Sequence, residues 1–249
     1  MAVIRLLQLT DTHLVGDPLG EMRGVRTLET LRTVLRGAAA DLEAADAVLL
    51  TGDIVHDDPD GYAWVRHELG SLAKPVLCIP GNHDDPQLLR EALAEPPFRH
   101  LGHHDLGAWR IVMLDSTVPG EAAGELPATE LARLEAALGP GSPSHALVVL
   151  HHQPIPVGSA GLDSVGLRNS AALQTIIAGL PTVRALIGGH VHQESEQRLG
   201  AVRVFTTPST CMQFRPQVAG FETDDRGPGC RVLELHPDGG LQTRVRWFD

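Results

Sequence analysis

The chain has 249 residues, 43% of them hydrophobic, and 31 acidic against 20 basic side chains give a formal net charge of −11. That is enough apolar material for one large core. The diffuse negative charge repels a polyanion and argues against long nucleic acid as a partner, but it leaves room for a small anion wherever bound cations reverse the local sign.

Short apolar runs alternate with helical patterns through the first two thirds of the chain. Residues 3–9 read as a buried strand, and 26–42 as a helix carrying Leu28, Leu31, Val34 and Leu35 at helical spacing. Residues 47–50 form the next strand, ending at Gly52-Asp53, followed by a helix over 62–72 and a strand over 75–79 that ends at Gly81-Asn82-His83. Asp85-Pro86 has the form of an N-cap with proline at the first helical position, opening a helix to residue 94. A strand over 110–114, a helix over 129–138 and a strand over 146–150 lead to His151. The Gly/Pro-rich stretch 157–166 reads as a long surface loop. A helix over 170–178 and a strand over 183–187 then end at Gly189-His190. Two hairpins close the chain, 195–199 with 202–206 and 231–236 with 241–247, and both are expected to extend the second sheet of the fold named below.

Cys78, Cys211 and Cys230 are odd in number and share no CxxC spacing, which argues against a disulfide framework and for a reducing, cytoplasmic setting. Cys78, inside an apolar run, reads as a buried thiol. The first apolar stretch is short and broken by Arg5 and Gln8, unlike an export signal, and no segment has the length of a membrane span.

Five clusters of metal-liking residues follow one another: Asp11-Thr12-His13, Gly52-Asp53, Gly81-Asn82-His83-Asp84, His151-His152 and Gly189-His190-Val191-His192. Nearly every one falls just after the carboxyl end of a predicted strand, the edge where loops of an α/β sheet converge on ligands. Carboxylates, an amide oxygen and imidazoles together suit two first-row divalent ions in one pocket, and such a pair can grip both the attacking and the leaving oxygen of a phosphate ester. Because the clusters run from Asp11 to His192, residues 1–249 read as one domain. Singly, Asp-x-His or Gly-Asp is more often a turn and its cap; the five in this order are not.

The pattern D-x-H, G-D, G-N-H-D, H, G-H-x-H is similar to that of the calcineurin-like metallophosphoesterases. Further blocks, His151-His152-Gln153-Pro154, Leu167-Arg168-Asn169 and 207–214, resemble the bacterial class III 3',5'-cyclic AMP phosphodiesterases. The resemblance implies a four-layer α/β sandwich of two mixed sheets with helices on both outer faces and the metals at one rim. It implies that Asp11, His13 and His192 hold one ion, that Asn82, His151 and His190 hold the other, and that Asp53 bridges them. Fe, Mn, Zn and Co all tolerate such ligands. A hydroxide between the ions would attack phosphorus in line, opening cyclic AMP to 5'-AMP, while His83 steadies and protonates the leaving oxygen. Some relatives orient that histidine with an aspartate three residues after the bridging one; here the position is His56, and Asp57 or Asp58 is expected to substitute. His152, Arg168 and Asn169, with Asn82 and His83, are the expected substrate contacts, and the partner is a small cyclic nucleotide or phosphate ester. Phe214 and Phe221 are assigned to core packing in preference to stacking on a base, and His100, His103 and His104 to an exposed loop. The alternatives are a promiscuous phosphoesterase active on 2',3'-cyclic nucleotides or other esters, and a non-catalytic scaffold, which the full ligand set argues against.

Overall fold

The computed structural model describes residues 2–249. In chain order, β1 (Ile4–Leu9) is followed by the small hairpin β2 (Glu21–Met22) and β3 (Val25–Arg26), then α1 (Thr27–Gly37), α2 (Ala39–Ala44) and β4 (Ala47–Thr51). Next come α3 (Tyr62–Leu69), β5 (Val76–Ile79), α4 (Pro86–Ala92), β6 (Phe98–His100), β7 (Gly102–Leu106) and β8 (Trp109–Met113). The second half holds α5 (Ala128–Ala137), β9 (His145–Val149), α6 (Ala160–Asp163), α7 (Ser170–Ala178), β10 (Val183–Gly188), β11 (Ser195–Leu199) and β12 (Val202–Thr206). A small pair, β13 (Gln213–Phe214) and β14 (Thr223–Asp224), precedes the final strands β15 (Gly229–Leu235) and β16 (Leu241–Trp247).

Two six-stranded sheets result, one in the order β16-β15-β1-β4-β5-β6 and the other β11-β12-β10-β9-β8-β7. Each has four parallel strands at its heart with antiparallel strands added at an edge. The period-2 alternation of strand side chains sorts the apolar residues into three cores. Leu6, Leu49, Leu77 and Ile79 of the first sheet meet Ile111, Met113, Leu147, Val149 and Ile187 of the second. Their neighbours Leu7, Val48, Leu50 and Val76 face the opposite way, against Leu28, Leu31 and Val34 of α1 and Val65 and Leu69 of α3. On the far side Val112, Val148 and Leu186 pack on Leu134 of α5 and Leu173 and Ile177 of α7. The order is helix, sheet, sheet, helix: the four-layer sandwich.

Several boundaries differ from the sequence reading. The helix expected over 26–42 breaks at Ala38, where φ −95° and ψ 13° separate α1 from α2. Gly37 precedes the break and lies against the Phe248 ring, where any side chain would collide. The last hairpin joins the first sheet, because β15 pairs antiparallel with β1; only β11–β12 extends the second. His100, His103 and His104 lie on the edge strands β6 and β7, not in a loop, and His100 Nε2 donates to the Leu93 carbonyl at 2.7 Å. The stretch 157–166 contains α6 and buries Leu162. Asp85 caps α4 as expected, its side chain accepting from the N–H groups of Gln87 and Leu88.

Candidate metal centre

The five clusters meet at one rim. Asp11 and His13 follow β1, Asp53 follows β4 and Asn82 follows β5, all from the first sheet; His151 follows β9 and His190 and His192 follow β10, from the second. The loops continue the sheet's pairing beyond its edge: Asp11 N donates to Gly52 O at 3.0 Å, His13 N to Asp53 O at 2.9 Å and Leu14 N to Ile54 O at 3.0 Å. Asp11, His13, Asp53, His190 and His192 all have φ between 45° and 67°, the left-handed region. A residue held there costs on the order of 1 kcal/mol, least for Asp, Asn and His, and this concentration of strain at one rim marks a functional site. Gly52 and Gly81 let the loops close up. A methyl at Gly52 would strike the His151 ring, and one at Gly81 would strike Asp53.

The side chains form two overlapping groups. In the first, His192 Nε2 lies 3.1 Å from His13 Nε2 and 3.3 Å from Asp11 Oδ1. His192 Nδ1 donates to the Met212 carbonyl at 2.7 Å, so in the neutral ring Nε2 carries the lone pair. In the second, His151 Nε2 lies 3.4 Å from Asp53 Oδ2 while its Nδ1 donates to the Thr51 carbonyl at 2.8 Å. The His190 ring sits 5.1 Å from that of His151. Among the described residues, Asn82 Oδ1, His151 Nε2 and His190 Nε2 are buried without a hydrogen-bond partner. Buried polar atoms are almost always paired. Three orphans beside a buried carboxylate fit a divalent cation, and the donor set of the first group fits another.

The electrostatics agree. Burial drives His190 down to about 3, and it holds His13 well below the usual imidazole range against the pull of Asp53, so both offer lone pairs. Burial pushes Asp11 and Asp53 up, but the neighbouring histidines outweigh it and keep both carboxyls ionised. Burial also pushes His151 down, yet the charge of Asp53 and their contact prevail and lift it to about 9.

Around this centre lie residues that position it. His83 Nδ1 stands 3.0 Å from Asp57 Oδ2; a carboxylate can only accept, so Nδ1 is the donor and Nε2 is the ring's free nitrogen. Asp58 is engaged elsewhere, accepting from the N–H groups of Gly16 and Asp60. His56 lies between His13 and His83, its Nδ1 3.2 Å from His13 Nδ1 and its ring 4.5 Å from that of His83. Asp84 is a hub: it accepts from the N–H groups of Ile54, Val55 and Gly81 and from the Tyr62 hydroxyl. Beneath the rim Gln8 donates to Thr51 Oγ1 and to the Gly188 carbonyl and accepts from Thr207, which in turn accepts from the buried Arg231. Asp84, counted from sequence among the metal-liking residues, braces loops instead. Sequence reasoning missed the roles of Gln8, Thr207 and Arg231; a polar residue inside an apolar strand, as Gln8 is, was the available signal.

The expected substrate contacts divide. Asn82 and His83 line the cleft over the metal-binding residues. His152 does not: it is fully buried, with Nδ1 2.8 Å from Ser116 Oγ and Nε2 3.3 Å from the Ala122 carbonyl. Asn169 ties the loop before α7 to the segment before α5, exchanging hydrogen bonds with the backbone of Leu126. Arg168 is half-exposed and pairs with Glu121 at 2.6 Å. Phe214 is buried in a small core with Met22, Leu162 and Val191, as assigned from sequence, and its ring also borders the cleft; Phe221, assigned to the core as well, is instead exposed and lines the cleft, along with Arg23 of the β2–β3 hairpin.

Residues 4–194 match the calcineurin-like phosphoesterase family, and the chain belongs to it. It is 40% identical over 246 residues to the 3',5'-cyclic adenosine monophosphate phosphodiesterase CpdA of Haemophilus influenzae, covering 98% of this chain and 90% of that protein. It is 37% identical over 246 residues to CpdA of Escherichia coli, with the same coverage of 98% and 90%. To a 3',5'-cyclic-nucleotide phosphodiesterase of Nostoc it is 33% identical over 245 residues, covering 97% of this chain and 91% of that one. Among solved structures, a dimetal phosphatase from Danio rerio superposes with TM-score 0.67 at 15% identity, over 100% of both chains. GAP50, an inner membrane complex anchor of Plasmodium, gives 0.64 at 13%, over 100% of this chain and 89% of that one. Those two likenesses are to the fold alone.

Proposed function

We propose that this protein is a metal-dependent phosphoric diester hydrolase that opens 3',5'-cyclic nucleotides, converting cyclic AMP to 5'-AMP. The observation that carries the reading is the set of orphaned ligand atoms, Asn82 Oδ1, His151 Nε2 and His190 Nε2, gathered around Asp53, which with Asn82 and His190 lines a cleft. The relatives at 33–40% identity, matched over nearly their whole length, supply the substrate class. Asp11, His13 and His192 would hold one divalent ion, Asn82, His151 and His190 the second, and Asp53 both. When bound, such a pair activates water as a nucleophile and neutralises the phosphate. The chain's own groups do the rest. The orphaned atoms and left-handed loops are already in place before the ions arrive, so little reorganisation is needed. His83, as an imidazolium held by Asp57 through Nδ1–H, presents Nε2–H to the leaving 3' oxygen and gives it that proton, ending as the neutral ring. Asp84 fixes the loops after β4 and β5 to each other.

Both sheets contribute ligands, which supports one domain over residues 1–249. Among the described residues, no helix is long and apolar enough to cross a membrane. The three cysteines are free and buried, which supports the cytoplasmic assignment. The test is turnover of protein reconstituted with Mn, Fe, Zn or Co against a panel of 3',5'- and 2',3'-cyclic nucleotides and simple phosphate esters. Formation of 5'-AMP from cyclic AMP with the highest kcat/KM is the expected result. A higher kcat/KM on another ester would replace the substrate and keep the hydrolase.

A further inference from the structure

A cyclic nucleotide has two ends, and the metal centre accounts for one. The cleft above it encloses about 390 Å³, a size suited to a small ligand, and its chemistry changes along its length. Its buried end is His13, Asp53, Asn82, His190 and His192; its open end is apolar, walled by Phe214, Phe221, Met22, Leu162 and Val165. The aromatic surface begins one ring away from a metal-binding residue: Phe214 lies 4.9 Å from His192 between ring centroids, at 36°. Phe221 meets Phe214 edge-on at 6.0 Å and 69° and is 45% exposed. Among the described residues only three large hydrophobic side chains are so exposed, and the other two, Leu19 and Leu88, lie outside this cleft.

The wall is built in advance of any ligand. The loop carrying Phe221 is closed by Arg215 N donating to Glu222 O at 2.8 Å. It is tied by Gln217 N to Ser159 Oγ at 2.9 Å, next to the helix that bears Leu162. Arg23, at the tip of the β2–β3 hairpin, places its guanidinium 5.5 Å over the Phe214 ring. Among the described residues it makes no ion pair. A small aliphatic ester would leave the exposed face of Phe221 wet. A flat heteroaromatic group would cover it and gain stacking energy that does not depend on base identity.

We propose that the open end of the cleft is a nucleobase subsite in which the base lies against the exposed face of Phe221 and the edge of Phe214, beside the Arg23 guanidinium, while the phosphate sits at the metal-binding residues. The subsite rests on the nucleotide reading above in taking a nucleotide as the ligand. It makes Phe214 and Phe221 the side chains that separate nucleotides from other esters the metals could reach.

The test compares binding of 5'-AMP and of ribose 5-phosphate to the Mn²⁺-loaded protein by calorimetry, since the two share sugar and phosphate and differ in the base. Wild-type protein should bind 5'-AMP about 10-fold more tightly, the lower range for one stacked base. Phe221→Ala should bring that ratio near one while leaving ribose 5-phosphate binding and metal content unchanged. Phe214→Leu should do the same, and measured metal content guards against an indirect effect through His192. Equal affinities in wild type, no measurable 5'-AMP binding, or a ratio untouched in both variants would overturn the subsite. Cyclic AMP turnover is measured separately. Its absence would overturn the substrate reading, and the binding ratio would still decide the subsite.

Discussion

The backbone N–H of His83 donates to Oδ1 of Asp53 at 2.9 Å. One oxygen of the central carboxylate is therefore committed to the neighbouring loop, and the other, Oδ2, stands 3.4 Å from His151 Nε2 and 3.8 Å from His13 Nε2. Those imidazoles come from different sheets, so a single side chain faces both halves of the molecule. The same bond places the His83 ring beside the centre that it serves.

Asp53→Ala should lose most bound metal and all measurable diesterase activity, because its carboxylate faces His13 of one group and His151 of the other. Asp53→Asn should be almost as damaging: its amide oxygen can still accept from His83 N–H, but a neutral group bridges two cations poorly. Metal analysis alongside turnover checks both. Two tightly held ions with near-normal rates would rule out the bridging role.

His83→Ala should retain metal and lower turnover by about 10²–10⁴-fold, the span for a positioned general acid. The loss should shrink for a good leaving group such as nitrophenolate, which needs little protonation. Asp57→Asn should show the same leaving-group pattern with a smaller loss, because it acts only through the 3.0 Å contact to His83 Nδ1. Equal losses on good and poor leaving groups would make His83 a phosphate contact rather than an acid.

Metal uptake should depend on pH. His151 stays protonated up to about pH 9 in the metal-free protein, so below that value an ion must displace a proton. Apparent Mn²⁺ affinity should rise with pH and level off above about pH 9, with proton release visible as a buffer-dependent binding heat. Affinity that stays flat from neutral pH upward would contradict this.

Asp84 predicts a stability effect of opposite sense to an ordinary carboxylate. Burial, with repulsion from Asp53, raises its folded pKa to about 6 from 3.8. The folded state then binds more protons than the unfolded state between those values, so this group's contribution is full at low pH and is lost as pH rises through about 6. In chelated protein, the stability advantage of wild type over Asp84→Asn should shrink by up to about 3 kcal/mol between acid and neutral pH. Urea titrations at several pH values measure it; a constant or widening gap would refute the assignment.

Arg168→Ala should change KM for a cyclic nucleotide little, since the side chain is held by Glu121 on the surface. A selective rise in KM for the nucleotide over an aryl phosphodiester would return Arg168 to the substrate site.

The motifs were legible because each needs a particular residue type at a strand end, as Gly52-Asp53 and Gly189-His190 show, and strand ends are set by short apolar runs. The packing of two sheets was legible only through family resemblance, because Leu6 and Leu7 are equally apolar and nothing local says which faces a sheet and which a helix. The last hairpin was misplaced for the same reason: its pairing with β1 joins residues more than two hundred positions apart. Phe221 was misread, though Phe214 was not, because an aromatic side chain carries no mark that distinguishes a core from a cleft wall. His152, next to the expected ligand His151, is held by Ser116 and Ala122, contacts that no spacing rule reveals.

Three of the ligand-bearing loops belong to one sheet and two to the other, and Gln8 already ties the pair together just below them. Ions gripped from both sides would act as rivets through the mouth of the sandwich. Their occupancy would govern how readily the halves part, since whatever binds only the folded form stabilises it by mass action. Metal starvation should then be felt twice, as lost turnover and as a shorter lifetime of the chain against proteases that attack the opened rim.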